Sequence, residues 1–120
     1  LWKQISDRGG RVGFGNDWPV VTLNPWRGVQ VAVTRQTVSG TPANGFVGSE
    51  RLDVATAIAT YSMGGAIAGG RTAREGSITP GKLADFILLA RDPFRASPAQ
   101  LDAMLVDVTV VGGRVVFRRQ

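Results

Sequence analysis

Gly112-Gly113 constrains this chain most tightly, because it separates Asp107-Val108-Thr109-Val110-Val111 from Arg114-Val115-Val116-Phe117-Arg118. Two glycines accept the positive φ angles that a two-residue hairpin turn needs. Fixing that turn sets Val111 opposite Arg114, Val110 across from Val115 and Val108 across from Phe117, on an apolar face. Asp107 then meets Arg118 on the other face, with Thr109 beside Val116. The expectation is an antiparallel sheet with one face buried and the other mostly wet.

The same β texture begins at Gly76. Ser77-Ile78 reads as a short strand, Thr79-Pro80-Gly81-Lys82 as a type II turn and Ala84 to Ala90 as a strand. Phe86-Ile87-Leu88-Leu89 is apolar without alternation, which predicts cover on both faces. Asp92-Pro93 ends the strand, and Ser97 with Pro98 starts a short helix to about Met104.

Residues 1–75 read as α/β. Leu1 to Arg8 forms a helical end stopped by Gly9-Gly10. Arg11-Val12-Gly13-Phe14-Gly15-Asn16-Asp17 reads as a buried strand with its acid at the carboxyl end, before Trp18-Pro19. In parallel α/β architectures that end carries the chemistry. The plainer alternative makes Asp17 a turn residue that accepts backbone hydrogen bonds. Asn24 and Pro25 open a helix carrying Trp26, Val29 and Val33 to about Thr37. Ser39 to Ser49 is a glycine-rich loop. Asp53 caps a helix from Val54 to Tyr61, and Ser62 restarts one that ends at Gly69-Gly70. Gly64 and Gly65 weaken a helix, so they imply close backbone contact. For Trp18, Trp26 and Tyr61, buried packing is preferred over a place bordering a substrate pocket.

Composition narrows the function classes. The 120 residues contain no histidine and no cysteine, which removes imidazole and thiolate chemistry from this stretch. The net charge of +5 comes from scattered arginines, without the aromatic interleaving of a nucleic-acid platform. No apolar run reaches the roughly 20 residues needed to span a bilayer. The expectations are no nucleic acid, no membrane and a cytoplasmic location. The opening inside a helix, without methionine, suggests a part of something longer.

Several segments together resemble a known family. Gly15-Asn16-Asp17-Trp18-Pro19-Val20 is similar to the Gly-Ser-Asp-Trp-Pro-Val segment of metal-dependent amidohydrolases, in the branch called amidohydrolase family 3. The likeness continues through Asn24-Pro25, Ala32-Val33-Thr34-Arg35, Glu50-Arg51-Leu52 and Tyr61-Ser62-Met63-Gly64-Gly65-Ala66. It is most specific at Gly76-Ser77-Ile78-Thr79-Pro80-Gly81-Lys82-Leu83-Ala84-Asp85-Phe86 and closes on the Gly112-Gly113 hairpin. Asn16 departs from the pattern, standing where serine is usual and adding bulk and amide hydrogen bonding beside Asp17.

The resemblance implies the carboxy-terminal part of a larger enzyme. Residues 1–75 would be the last strand and helices of a (β/α)₈ TIM-like barrel, and 76–120 the carboxy-terminal strands of a composite β-sandwich. The implied activity is hydrolysis of amide-type C–N bonds in a small molecule, through water activated by a divalent metal, zinc (Zn) being expected. Asp17 would be metal ligand and general base, and the histidine ligands would lie in the amino-terminal part of the same polypeptide. On this reading the isolated chain is inactive and holds no cofactor. Pro80, Gly81, Lys82 and Asp85 read as turn and sheet structure. Open strand edges imply association, with those further segments or as a homo-oligomer. The alternative is a non-catalytic, β-rich binding or oligomerisation module.

Overall fold

The computed structural model describes residues 1–120, and its core lies where the helices meet turns that follow the first strand. Helix α1 (Trp2–Asp7) ends before Gly9, whose φ of 78° supplies the left-handed stop. Helix α2 (Pro25–Thr34) starts as expected, with the Asn24 side chain accepting from the Trp26 N–H at 3.0 Å. It ends at Thr34 and not Thr37, because Arg35 takes a left-handed φ of 59°. The Arg35 guanidinium lies 4.2 Å from the Trp2 ring centroid and donates to the Phe46 carbonyl, contacts that offset the unusual backbone. Helix α3 (Val54–Tyr61) carries the expected Asp53 cap, and α4 (Met63–Ala68) follows after Ser62.

Trp26, Val29 and Ala32 of α2 pack with Leu52, Ala57, Leu101 and Met104. Leu101 is fully buried although it stands 25 positions beyond Gly76, so one core joins the helices to residues that follow the strand at Phe86–Leu89. Around Leu101 the expected helix to Met104 shrinks to a 3₁₀ turn, Pro98–Gln100. There the Gln100 side chain accepts from the Ser97 N–H at 3.0 Å, and the Gln100 N–H donates to the Ser97 carbonyl at 2.9 Å.

Residues 11–16 form neither helix nor strand ladder and Asp17 begins a turn, contrary to the strand expected there. A β-strand needs a neighbour to take its backbone groups. Here helices serve instead: the Phe14 N–H donates to the Thr60 carbonyl at 3.1 Å, and Gly13 lies against Gly64. The close contact inferred from the α4 glycines is thus met at Gly64. Ser77-Ile78 likewise forms no strand, and Ile78 is exposed.

Strands β1 (Phe86–Leu89), β2 (Val106–Val111) and β3 (Arg114–Arg118) make one antiparallel sheet in the order β1-β2-β3. Lys82 N–H donates to the Thr79 carbonyl at 3.1 Å, and Gly81 has φ 90°, closing the expected turn before β1. Ile87 and Leu88 are exposed, so β1 lacks the two-sided cover that its apolar run predicts; it is an edge strand. The hairpin turn is as derived, with Val111 opposite Arg114 and Val110 opposite Val115. Beyond it the register slips. Thr109 faces Phe117 and Val108 faces Arg118, leaving Val116 as an extra residue in β3. The charge pair moves accordingly: Asp107 binds Arg119 at 2.6 Å instead of Arg118. Val108 and Val110 are buried while β3 is exposed throughout.

Candidate active site

Asp17 opens a turn at residues 17–20, its carbonyl accepting from the Val20 N–H at 2.8 Å. Its φ of 49° lies in the left-handed region, which Asp tolerates better than most residues. The carboxylate is exposed and joins none of the four ion pairs. Asp17 is therefore a turn residue by its backbone, while its side chain is left facing outward.

The neighbouring Asn16 does far more within the chain. Its Nδ2 donates to the Thr22 carbonyl at 2.7 Å and the Asn24 carbonyl at 2.9 Å. Its Oδ1 accepts from the Tyr61 hydroxyl at 2.9 Å. Tyr61 in turn packs edge-on against Phe14, which packs against Trp2, with centroid separations of 5.7 and 5.0 Å. Partial burial pushes the Tyr61 hydroxyl pKa up, keeping it a protonated donor. The sequence marked Asn16 as a departure that brings amide hydrogen bonding beside Asp17, but not its partners. Its role depends on carbonyls that the turn returns to it, which no local motif displays.

Trp26 is buried as expected, but Trp18 is 63% exposed beside Asp17. Tyr61 also borders a cleft of about 590 Å³ whose walls include Trp26, Ile58, Glu75, Ile78 and Phe86. Asp17 does not line that cleft. Asp85 accepts from the Gly112 N–H at 2.6 Å, a sheet-tying role as read from its turn context, and the Lys82 ammonium donates to the Glu75 carbonyl.

Glu50 is a second carboxylate of note, one that sequence reasoning passed over. It is 1% exposed, and its Oε2 accepts from the Lys3 N–H at 2.8 Å at the start of α1. Burial alone would raise its pKa, but hydrogen bonds from the Lys3 and Gln4 backbone N–H groups oppose that rise, and the group is held below the usual range. Its donors lie 46 and 47 positions away, so the loop sequence carries no sign of them.

As a donor set for a metal, these residues do not suffice. Nowhere do three carboxylates or other ligating side chains converge, and the chain has no histidine. A lone carboxylate falls short of the four-ligand shell of a typical zinc centre.

The Amidohydrolase family model matches residues 1–117. The chain belongs to the amidohydrolase family. It is 33% identical over 118 residues to "Putative amidohydrolase YtcJ" of Bacillus subtilis (strain 168), covering 98% of this chain and 22% of that protein. It is 32% identical to the N-substituted formamide deformylase of Arthrobacter pascens, covering 98% of this chain and 21% of that protein. An imidazolonepropionase of Phocaeicola vulgatus is 41% identical over 66 residues, 55% of this chain and 16% of that protein. No solved structure matches. The amidohydrolase chain thus spans about a fifth of the length of the first two relatives. None of its helices is long and apolar enough to cross a membrane.

Proposed function

We propose that this amidohydrolase chain is the carboxy-terminal part of an enzyme that hydrolyses an amide-type C–N bond in a small molecule. The observation that carries the reading is the family match along residues 1–117. The names of two relatives, a formamide deformylase and an imidazolonepropionase, are consistent with C–N chemistry. Residues 1–75 contribute the last strand and helices of a TIM-like barrel, and 76–120 the carboxy-terminal strands of a β-sandwich. In the whole protein Arg11 to Asp17 would find the neighbouring strands that it lacks within this chain.

Asp17 is the site residue in this reading. Its outward, unpaired carboxylate is free to meet groups from elsewhere in the polypeptide, as one ligand of a divalent metal, zinc by preference, and as the base that takes a proton from water. A metal supplies hydroxide at neutral pH by lowering the pKa of bound water to about 7. The remaining ligands lie outside these residues, and the location proposed is cytoplasmic. The test is release of amine from N-acyl and N-formyl amines by the full-length protein and by this 120-residue chain. The full-length protein is expected to be active and the chain inactive with added zinc. Hydrolysis by the chain alone would overturn the assignment of ligands to other segments.

A further inference from the structure

We infer that Asn16, held by Tyr61, is the positioning residue for Asp17, an inference that rests on the reading of Asp17 given above. Both hydrogens of the Asn16 amide go to carbonyls on the far side of the turn, at Thr22 and Asn24. One side chain therefore closes residues 17–21 into a loop. That loop carries Asp17 and Trp18. The Tyr61 hydroxyl occupies the remaining acceptor, Oδ1. Reversing the amide would turn Oδ1 toward two carbonyl oxygens, so one orientation prevails.

The clasp is anchored on packed structure. Tyr61 ends α3 and its ring lies against Phe14. α2 makes room for the ring at Gly28, where a Cβ would sit 2.7 Å from Tyr61 Cζ. Asp17 has no ion-pair partner of its own, so its carboxylate takes its direction from the backbone that Asn16 ties down. Serine at position 16 has one hydroxyl hydrogen and could not donate to both carbonyls at once. The asparagine thus gives this chain a more fully closed loop than a serine would.

The experiment compares Asn16→Ala, Tyr61→Phe, Asp17→Asn and Asp53→Ala in the full-length protein. Amide hydrogen exchange is followed by mass spectrometry in the peptide spanning 17–24, and hydrolysis of formanilide by release of aniline. Asn16→Ala is expected to speed exchange in that peptide at least tenfold, because the two hydrogen bonds that close the loop are lost together with the one from Tyr61. It should also lower kcat with little change in KM. Tyr61→Phe keeps the ring packing and should speed exchange by a smaller factor. Asp53→Ala removes the cap at the opposite end of α3 from Tyr61, and should leave exchange in the loop unchanged. Unaltered exchange in Asn16→Ala, or equal acceleration by Asp53→Ala, overturns the inference. Full hydrolysis by Asp17→Asn would defeat the reading of Asp17 and the positioning role together. Loss of hydrolysis in Asp17→Asn, with exchange and kcat at the parent level in Asn16→Ala, would defeat the positioning role alone.

Discussion

Adjacent glycines in α4 offer a sharp test of how the segment leading to Asp17 is seated. A Cβ on Gly64 would collide with the Val12 carbonyl oxygen and stand 2.8 Å from Gly13 Cα, whereas one on Gly65 would meet nothing within 4 Å. The atoms facing Gly64 are backbone, so no rotamer change relieves the clash. Alanine for glycine in a helix gains up to about 1 kcal/mol from propensity and unfolded-state entropy. Overpacking of a close contact costs about 1–3 kcal/mol. Gly65→Ala should therefore stabilise by about 0.5–1 kcal/mol, since only the propensity gain applies. Gly64→Ala should destabilise, by up to about 2 kcal/mol once the gain is subtracted from the clash. Urea denaturation followed by tryptophan fluorescence reads both. Gly64→Ala proving as stable as Gly65→Ala would refute the docking of Val12-Gly13 on α4.

Other substitutions probe separate parts of the account. Leu101→Ala should cost about 2–5 kcal/mol in the same denaturation assay, because Leu101 is fully buried in the core that joins the helices to the residues after β1. Asp53→Ala should cost about 1 kcal/mol, since it removes the cap that accepts from the Thr56 N–H. The Thr56 backbone and hydroxyl bonds depress the Asp53 pKa, and backbone N–H bonds depress that of Glu50 against its burial. Each folded pKa lies below its unfolded value, so their stabilisation is complete above the unfolded carboxylate range. It is lost as pH falls through the folded values. Melting temperature should accordingly drop on acidification below about pH 4.5, and Asp53→Ala should flatten part of that drop; an unchanged profile would contradict the cap.

Local chemistry made much of this fold legible. Asn24-Pro25, Asp53 and Gly9 each carry their own cap or stop, and each does so in the structure. Gly112-Gly113 fixed the turn, with φ of 56° and 77°, but could not report the extra residue at Val116. A bulge depends on how the strand twists against its neighbours, and composition does not encode that. The run Phe86 to Leu89 misled for a related reason: an apolar strand indicates surfaces to be covered, and Ile87 and Leu88 remain exposed in this chain. The strand expected through Phe14 met helices instead, because pairing is a property of the partner as well as of the strand. At the candidate site the turn at Asp17 was legible from its place before Trp18-Pro19. The Asn16–Tyr61 bond was not, since it joins residues 45 positions apart.

The most direct test of the central claim is the rate at which full-length Asp17→Asn protein hydrolyses an amide that the parent hydrolyses, with circular dichroism to confirm the fold. Loss of a general base predicts a fall in kcat of about 10²–10⁴-fold. Turnover at the parent rate by a folded Asp17→Asn enzyme would contradict it.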